Sequence, residues 1–183
     1  MGRKARPTAG CLDSQSHKTT ACGGEHRGFD AGKRIKGRKR FILTDSQGLL
    51  LAVWVCAASV SEKKGAMQLL RYIKLIPCLQ HLCRRIRLVW VDGGYQGEDL
   101  MNYVHRLWNW TWQVIKRSDE GKGFRVLPRR WVVERTDLLR VQHRLHAWLL
   151  NARRLNKDYE KSRRNSQSMV YLAFLPLLLN RLH

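Results

Sequence analysis

The chain has 183 residues, 44% of them hydrophobic and seven of them Trp, so it can bury the core of one domain. Its 35 Lys and Arg outnumber 14 Asp and Glu, and this formal charge of +21 favours a polyanionic partner such as nucleic acid over a neutral one. The five cysteines include no C-x-x-C pair, which argues against a zinc site and favours reduced thiols in a cytoplasmic protein. The chain has no apolar run of about 18 residues, which argues against a membrane span. It also has no apolar segment near Met1, which argues against a signal peptide.

The first part of the chain predicts loops followed by a hairpin. Residues 1–40 are rich in Gly, Lys, Arg, Ser and Thr, which predicts a disordered start at 1–9 and mostly loop, with a short strand at Gly10–Leu12 leading into Asp13. Two apolar runs around the turn at residues 45–48 predict a hairpin. Its second strand, Leu49–Ala58, is almost continuously apolar, as expected for a central strand covered on both faces.

Helices and strands alternate in the rest of the chain. Apolar residues at helical spacing predict a helix over 62–76 that Pro77 ends. We then expect a strand in "RIRLVWVD", a helix in "GEDLMNYVHRLWN", a strand in "TWQVIKR", a basic loop over 118–130, a long helix from Trp131 and a last helix from Gln167 to about Leu182. A hairpin followed by such alternation predicts one α/β domain with a mixed sheet, spanning residues 1–183.

Three acids stand beside apolar segments in a chain where acids are scarce. Asp13 follows the first short strand, Asp92 ends "LVWV", and Glu134 begins the long helix. Phosphoryl transfer without a covalent intermediate commonly uses two divalent ions about 3.5–4 Å apart, and carboxylates are the ligands that Mg²⁺ and Mn²⁺ prefer. These three residues are therefore our candidates for catalysis and for metal binding.

Each acid also has a structural explanation that the sequence leaves open. Asp92 could cap the following helix or stabilise the Gly-Gly turn, Glu134 could pair with Arg130, and Asp13 could form an Asx turn. Asp45 is explained by its hairpin turn, and Asp30 by the surrounding cations. No metal role is assigned to the histidines.

The aromatic residues near the middle of the chain have two explanations as well. Trp108, Trp110 and Trp112 alternate across a helix-to-strand junction, and core packing is favoured over base stacking. Tyr95 follows Gly-Gly, and could equally contact DNA or pack in the core.

Several stretches together resemble the catalytic part of bacterial insertion-sequence transposases of the DDE type, in particular the insertion-sequence-five group. They are "PTAGCLDSQSHKT", "RGFDAGKRIKGRKRFILTDSQGLLLAV", "VDGGYQG", "KGFRVLPRRWVVERT" and "RRLNKDYE". The resemblance covers roughly residues 6–160 in family order. It implies a ribonuclease H-like fold, a mixed sheet flanked by helices, which agrees with the order of elements above.

The resemblance also implies an activity and a set of site residues. Asp13, Asp92 and Glu134 would be the catalytic acids and would hold two Mg²⁺ ions, for which Mn²⁺ could substitute. The reaction would be DNA transposition: cleavage at transposon ends and attack of the freed 3′-hydroxyl on target DNA, by a homodimer or larger assembly on DNA. The basic segments would contact phosphates through Lys33, Arg34, Lys36, Arg38, Lys39, Arg40, Arg129 and Arg130.

Two departures from the family pattern bear on these expectations. Such transposases normally carry end-recognition and dimerisation elements before the first catalytic strand, so the chain corresponds to an N-terminally truncated transposase. Residues 137–147, "DLLRVQHRLHA", are an atypical insertion in the C-terminal helix, and about nine extra residues would turn a helix by about 180°.

Three functional hypotheses follow. The chain is a DDE recombinase, or a catalytically incompetent transposase fragment that binds DNA non-specifically, or an unrelated basic RNA-binding protein. Metal-dependent cutting separates the first from the second, and a preference for RNA would indicate the third.

Overall fold

The structure is a computed structural model that describes residues 6–21, 24–115 and 153–179. Its strands are β1 (Ala9–Lys18), β2 (Gly28–Asp30), β3 (Ile35–Asp45), β4 (Leu50–Ala57), β5 (Leu88–Val91) and β6 (Thr111–Val114). Its helices are α1 (Glu62–Leu75), α2 (Pro77–Cys83), α3 (Glu98–Trp108) and α4 (Arg163–Leu179), with short 3₁₀ segments at Gly93–Tyr95 and Arg153–Leu155. The predicted helix from Trp131 and the 137–147 insertion lie outside these ranges.

The six strands form one mixed sheet. β3 pairs antiparallel with β1 on one side, and with β4 and the short β2 on the other. β1 pairs parallel with β5, and β5 parallel with β6. The order across the sheet is therefore β4-β3-β1-β5-β6, with β2 beside the far end of β3. This arrangement confirms the predicted mixed α/β sheet.

The prediction of mostly loop before residue 40 is wrong, because β1 alone spans ten residues. Its polar second half hides the strand from a search for apolar runs. Ser14, Ser16 and His17 are nevertheless buried, since β3 covers one edge of β1 along its whole length. Tertiary pairing rather than local composition makes this segment a strand.

β4 is buried on both faces as predicted, but it is an edge strand of the described sheet rather than a central one. Two side chains of α4 form hydrogen bonds with the backbone N–H and carbonyl of Val53 on the outer edge of β4. The backbone N–H of Val53 donates to the Tyr171 hydroxyl at 3.0 Å, and the Gln167 side-chain amide donates to the Val53 carbonyl. A covered edge of this kind satisfies the groups that a neighbouring strand would otherwise take.

Alternate residues of the central strands face two separate cores. Leu12 and Phe41 belong to the core beneath α1 and α3, whereas Ile42 and Val53 pack with Val170 and Phe174 of α4. Asp13 is the register partner of Ile42, so its side chain lies on the α4 side of the sheet.

Two compositional expectations can be compared with the structure. The cysteines in the described ranges, Cys11, Cys56, Cys78 and Cys83, are not joined to one another by disulfides. None of the helices that the structure describes combines the length and the apolar character needed to cross a membrane.

Candidate active site

Asp13 lies in β1, and Asp92 directly follows the neighbouring parallel strand β5. The β1–β5 register pairs Cys11 with Trp90, so Asp13 and Asp92 each come two residues after a paired position, and the charge of Asp92 acts on the Asp13 carboxyl group. Neighbouring parallel strands are about 4.8 Å apart, and residues in register point to the same face. The topology thus brings together two of the three predicted catalytic acids, which are 79 positions apart in the sequence.

The carboxyl group of Asp13 holds its proton unusually tightly. Burial is the main cause, and the negative charges of Asp92 and Glu62 add to it. The backbone N–H of Ser14, 2.7 Å from Oδ1, and the cation of Lys33 act in the opposite direction. The net result raises the pKa of Asp13 from 3.8 to about 6. A cation placed beside this carboxylate would reverse the effect, which is the property expected of a ligand for a metal or for another positive group.

Asp92 is exposed and caps the turn that follows it. Its Oδ1 accepts a hydrogen bond from the backbone N–H of Gly94 at 3.0 Å, and the turn continues as a 3₁₀ segment over Gly93–Tyr95. Stabilisation of the Gly-Gly turn was one of the structural explanations that the sequence left open for Asp92. This role is compatible with metal binding, because the hydrogen bond involves only one carboxylate oxygen and holds the side chain in place.

Glu62 is a third acid of this neighbourhood that sequence reasoning missed. It is the first residue of α1, and its Cγ lies 3.4 Å from the position that a Cβ on Gly94 would take, while Asp92 Oδ1 lies 3.2 Å from the same point. Its Oε1 pairs with Lys39 Nζ at 3.3 Å. In the sequence an acid at a helix N-terminus indicates only a favourable dipole interaction, so nothing distinguished Glu62.

Lys39 connects this acid to a second carboxylate. Its ammonium is buried and lies 3.3 Å from both Asp30 Oδ2 and Glu62 Oε1. Although burial raises the pKa of Asp30, hydrogen bonds from Ser16, the Lys33 backbone and Lys39 outweigh it and lower the pKa to about 2. The sequence prediction that Asp30 is a partner for nearby cations is confirmed. Lys39 thus neutralises charge beside the acids.

Tyr95 packs in the core, which decides between the two roles left open for it. Its side chain is fully buried, and its ring meets Trp112 edge-on, with centroids 6.4 Å apart. Burial and the charges of Asp13, Asp92 and Glu62 raise the pKa of its hydroxyl well above 10.0, against a smaller opposite effect of Ser14. The hydroxyl therefore stays protonated beneath the carboxylates.

The predicted phosphate-binding run divides into exposed and buried halves. Lys33, Arg34 and Lys36 are exposed around the turn between β2 and β3. Arg38 and Arg40 are buried and bonded within the protein. The guanidinium of Arg38 donates to Asp158 and to the backbone carbonyls of residues 25, 160 and 161, and that of Arg40 to the carbonyl of residue 155. With Lys39 buried as well, only the first half of the run presents its charges to a ligand.

The remaining candidates, Glu134, Arg129 and Arg130, lie outside the described residues. Among those that the structure describes, no group of three or more His, Cys, Asp or Glu side chains is arranged to hold a metal ion. Asp13 and Asp92 fit a hard divalent cation by chemistry, since both are carboxylates on one face, but they supply only part of a ligand set.

Adjacent carboxylates on a strongly basic chain are typical of proteins that act on phosphodiesters. The family comparison agrees with this class: the model of the family described as "Transposase DDE domain" matches residues 4–178. The chain therefore belongs to the transposase DDE-domain family.

A similar curated protein comes from Burkholderia cepacia and is named "Putative transposase for insertion sequence element IS402". The two are 32% identical over 145 residues, which is 77% of this chain and 60% of that relative. The chain thus spans about three fifths of the length of the curated relative it matches. A solved structure, the piggyBac transposase synaptic complex with hairpin DNA, aligns with 68% of this chain and 27% of its own at 14% identity. Its TM-score of 0.37 does not establish a shared fold.

Proposed function

We propose that this chain is the catalytic part of an insertion-sequence transposase, which carries out DNA transposition by metal-dependent phosphoryl transfer. The reaction would cleave DNA at transposon ends and join the freed 3′-hydroxyl to target DNA. The observation that carries the proposal is that Asp13 in β1 and Asp92 just after β5 lie close enough for the charge of one to act on the other, in a chain of this family. The strand order β4-β3-β1-β5-β6, with β3 antiparallel to both neighbours, supports a ribonuclease H-like fold.

Asp13, Asp92 and Glu134 would hold two Mg²⁺ or Mn²⁺ ions. When bound, such ions activate an attacking oxygen and stabilise a leaving oxygen. The protein's own contribution is to fix the ligands: the Gly94 N–H holds Asp92, and the β1 backbone holds Asp13. Because the pKa of Asp13 is about 6, its carboxylate form is ready for a cation near neutral pH.

DNA phosphates would be contacted by Lys33, Arg34 and Lys36 around the β2–β3 turn, and by Arg129 and Arg130. Lys33 is the best supported of these, because its charge already acts on the Asp13 carboxyl group. A phosphate held there would lie beside the acid pair. Assembly of the chain as a homodimer or a larger complex on DNA stays a prediction.

The test is nicking of supercoiled plasmid by the purified chain, with Mn²⁺ or with EDTA. We expect Mn²⁺-dependent nicking that Asp92→Asn abolishes while salt-sensitive DNA binding stays within about twofold of wild type, since one exposed carboxylate contributes little to phosphate contacts. Asp99→Asn is the matched control: it is an exposed acid in the first turn of α3, seven residues from Asp92, and it should nick normally.

The other outcomes are equally informative. Tight, salt-sensitive DNA binding without nicking would mean a catalytically incompetent transposase fragment, a transposase by descent only. Equal nicking by wild type and Asp92→Asn would contradict the role given to the acid pair. Preference for RNA over DNA of the same length would contradict the proposed substrate.

A further inference from the structure

A basic cleft opens on the side of the sheet opposite Asp13. It lies between α1, α2 and the end of α3, and has a volume of about 450 Å³. Its walls include Lys74, Pro77, His81, Arg84, Leu107 and Trp108. The helices that form it cover the α1 side of the sheet, whereas Asp13 faces the α4 side. Glu62, the acid of α1 beside Asp92, is the first residue of that helix, whereas Lys74 is in its last turn, about 18 Å further along the helix axis, so the cleft is separate from the candidate active site.

The charge around the cleft has one sign. Lys74 and Arg84 are exposed basic side chains in its wall, and no acid is among the lining residues that the structure describes. The guanidinium of Arg6 donates to Nε2 of His81, which adds another cation at this place. The cleft thus attracts anions.

One wall of the cleft is a rigid aromatic ring. Trp108 is half-buried, and its indole N–H donates to the carbonyl of Leu70 at 3.2 Å. Its ring stacks with buried Trp110 at a centroid distance of 4.8 Å and an interplanar angle of 26°. The Lys74 ammonium lies over the Trp108 ring, 4.8 Å from its centroid. An indole fixed by these neighbours can receive another flat group without being reordered itself.

We propose that this cleft binds single-stranded DNA, with a base against Trp108 and neighbouring phosphates at Lys74 and Arg84. Fixed aromatic rings combined with cations that follow the backbone are the way in which proteins hold unpaired strands. A paired base is stacked on both sides within its helix, so it could not reach the indole. Lys74 is exposed on a flexible stem, so its ammonium can leave the ring for a phosphate. The inference rests on the proposed function in that its ligand is DNA, but it concerns a different surface.

The first test measures how binding of a fluorescent oligothymidine to the full chain depends on salt. Each phosphate contact on a single strand contributes about 0.7 to the slope of log K against log salt. The double variant Lys74→Gln/Arg84→Gln should therefore lower the slope by about 1.4 and weaken binding at least about tenfold. Arg164→Gln is the control: Arg164 is exposed at the start of α4, outside the cleft lining. For Arg164→Gln we expect the salt-dependence slope to fall by less than half of the fall in the double variant.

The second test locates the bases directly. An oligonucleotide carrying 5-iodouracil is photo-crosslinked to the full chain, and the modified peptides are identified by mass spectrometry. We expect a cross-link at Trp108 that the double variant loses and that a duplex of the same length does not form. This experiment needs no substitution of Trp108, whose loss could disturb the core.

The results separate this inference from the proposed function. Oligothymidine binding with an unchanged slope in the double variant, or cross-links only at residues outside the cleft, would overturn the single-strand site even if Mn²⁺-dependent nicking is normal. Equal cross-linking of duplex, or preference for an RNA strand, would also overturn it. Loss of nicking in Asp92→Asn with the Trp108 cross-link intact would support two independent surfaces.

Discussion

Ionisation of Asp13 lowers the stability of the fold, although the proposed function needs the ionised carboxylate. Its pKa is 3.8 as an ordinary aspartate and about 6 in the fold, so the folded chain binds this proton more tightly than the unfolded chain. The group therefore costs no stability below about pH 4, and the cost grows as the pH rises to about 6 and then stays constant. Two pKa units correspond to at most about 3 kcal/mol.

Asp13→Asn should remove this cost. In metal-free buffer we expect its stability relative to wild type to increase by up to about 3 kcal/mol between about pH 4 and about pH 7. Urea unfolding across this range measures the difference, with exposed Asp99→Asn as control. A stability difference that does not change with pH would show that the Asp13 carboxyl is not held as described.

Arg38 is predicted to be structural, despite its place in a basic run. Its guanidinium pairs with Asp158 at 3.2 Å, and both side chains are buried. Arg38→Met would leave the buried Asp158 carboxylate its hydrogen bonds from Ser166 and the Glu160 backbone, but among the described residues only the longer ion pair with Arg40, at 3.9 Å, and we expect a loss of about 3–5 kcal/mol in the free energy of unfolding. Exposed Lys36→Met, two residues earlier, should change it by less than about 0.5 kcal/mol. Urea unfolding of both variants checks the contrast, and similar losses would contradict it.

Among the elements, α1 approaches β3 closely because it carries a glycine at the contact. A Cβ on Gly65 would lie 1.9 Å from the ring of Phe41, so the absent side chain makes room for the aromatic ring. Helix propensity alone predicts that Gly65→Ala stabilises the chain by about 1 kcal/mol. Overpacking predicts a loss of about 1–3 kcal/mol, and we expect this effect to prevail because Phe41 is fully buried.

The double variant Gly65→Ala/Phe41→Leu tests the cause. If the steric contact is responsible, the two substitutions should be coupled, with a combined loss smaller than the sum of the single losses. Thermal or urea unfolding of the four proteins gives the coupling energy. A stabilised Gly65→Ala protein would mean that α1 shifts away from the sheet at little cost.

The sequence predicted the apolar elements of the fold better than the polar ones. The hairpin of β3 and β4, the helices α1 and α3, and β5 and β6 all carry their own periodic or continuous apolar signal. β1 lacks such a signal beyond Leu12. β4 has the apolar sequence of a central strand although it is an edge strand, because α4 rather than another strand covers its outer edge. Both errors arise because burial depends on partners that are distant in the sequence.

The site shows the same division. Asp13 and Asp92 stood out by their place after apolar runs, and the sheet brings them side by side. Glu62 carries no local signal, since only the fold places it near Gly94. The basic run was predicted to bind DNA as a whole, yet the side chains of residues 38–40 are buried. The segment at residues 155–161 covers Arg38 and Arg40, and Asp30 and Glu62 pair with Lys39.

On the scale of the whole molecule, the sheet separates two surfaces with different chemistry. The acid pair lies where β1 and β5 run side by side, and the basic cleft with its indole lies between α1, α2 and the end of α3. A formal charge of +21 favours polyanions at both surfaces, so overall DNA affinity alone could not tell them apart. Only measurements specific to one surface, such as nicking or cross-linking at Trp108, can assign a strand to either side.

Divalent cations should stabilise the whole chain if the acids form a metal site. An ion at about 100 times its dissociation constant adds about 2.7 kcal/mol to the free energy of unfolding, provided that it binds only the folded state. Because the ion competes with the proton on Asp13, whose pKa is about 6, stabilisation should be weak near pH 5 and full above about pH 7. Thermal unfolding with Mn²⁺ or EDTA at both pH values measures this stabilisation.

Asp92→Asn should lose most of the stabilisation by Mn²⁺, and Asp99→Asn should lose none of it. Equal Mn²⁺ stabilisation of wild type and Asp92→Asn would place the ion elsewhere, and would remove the main support for metal-dependent transposition by this chain.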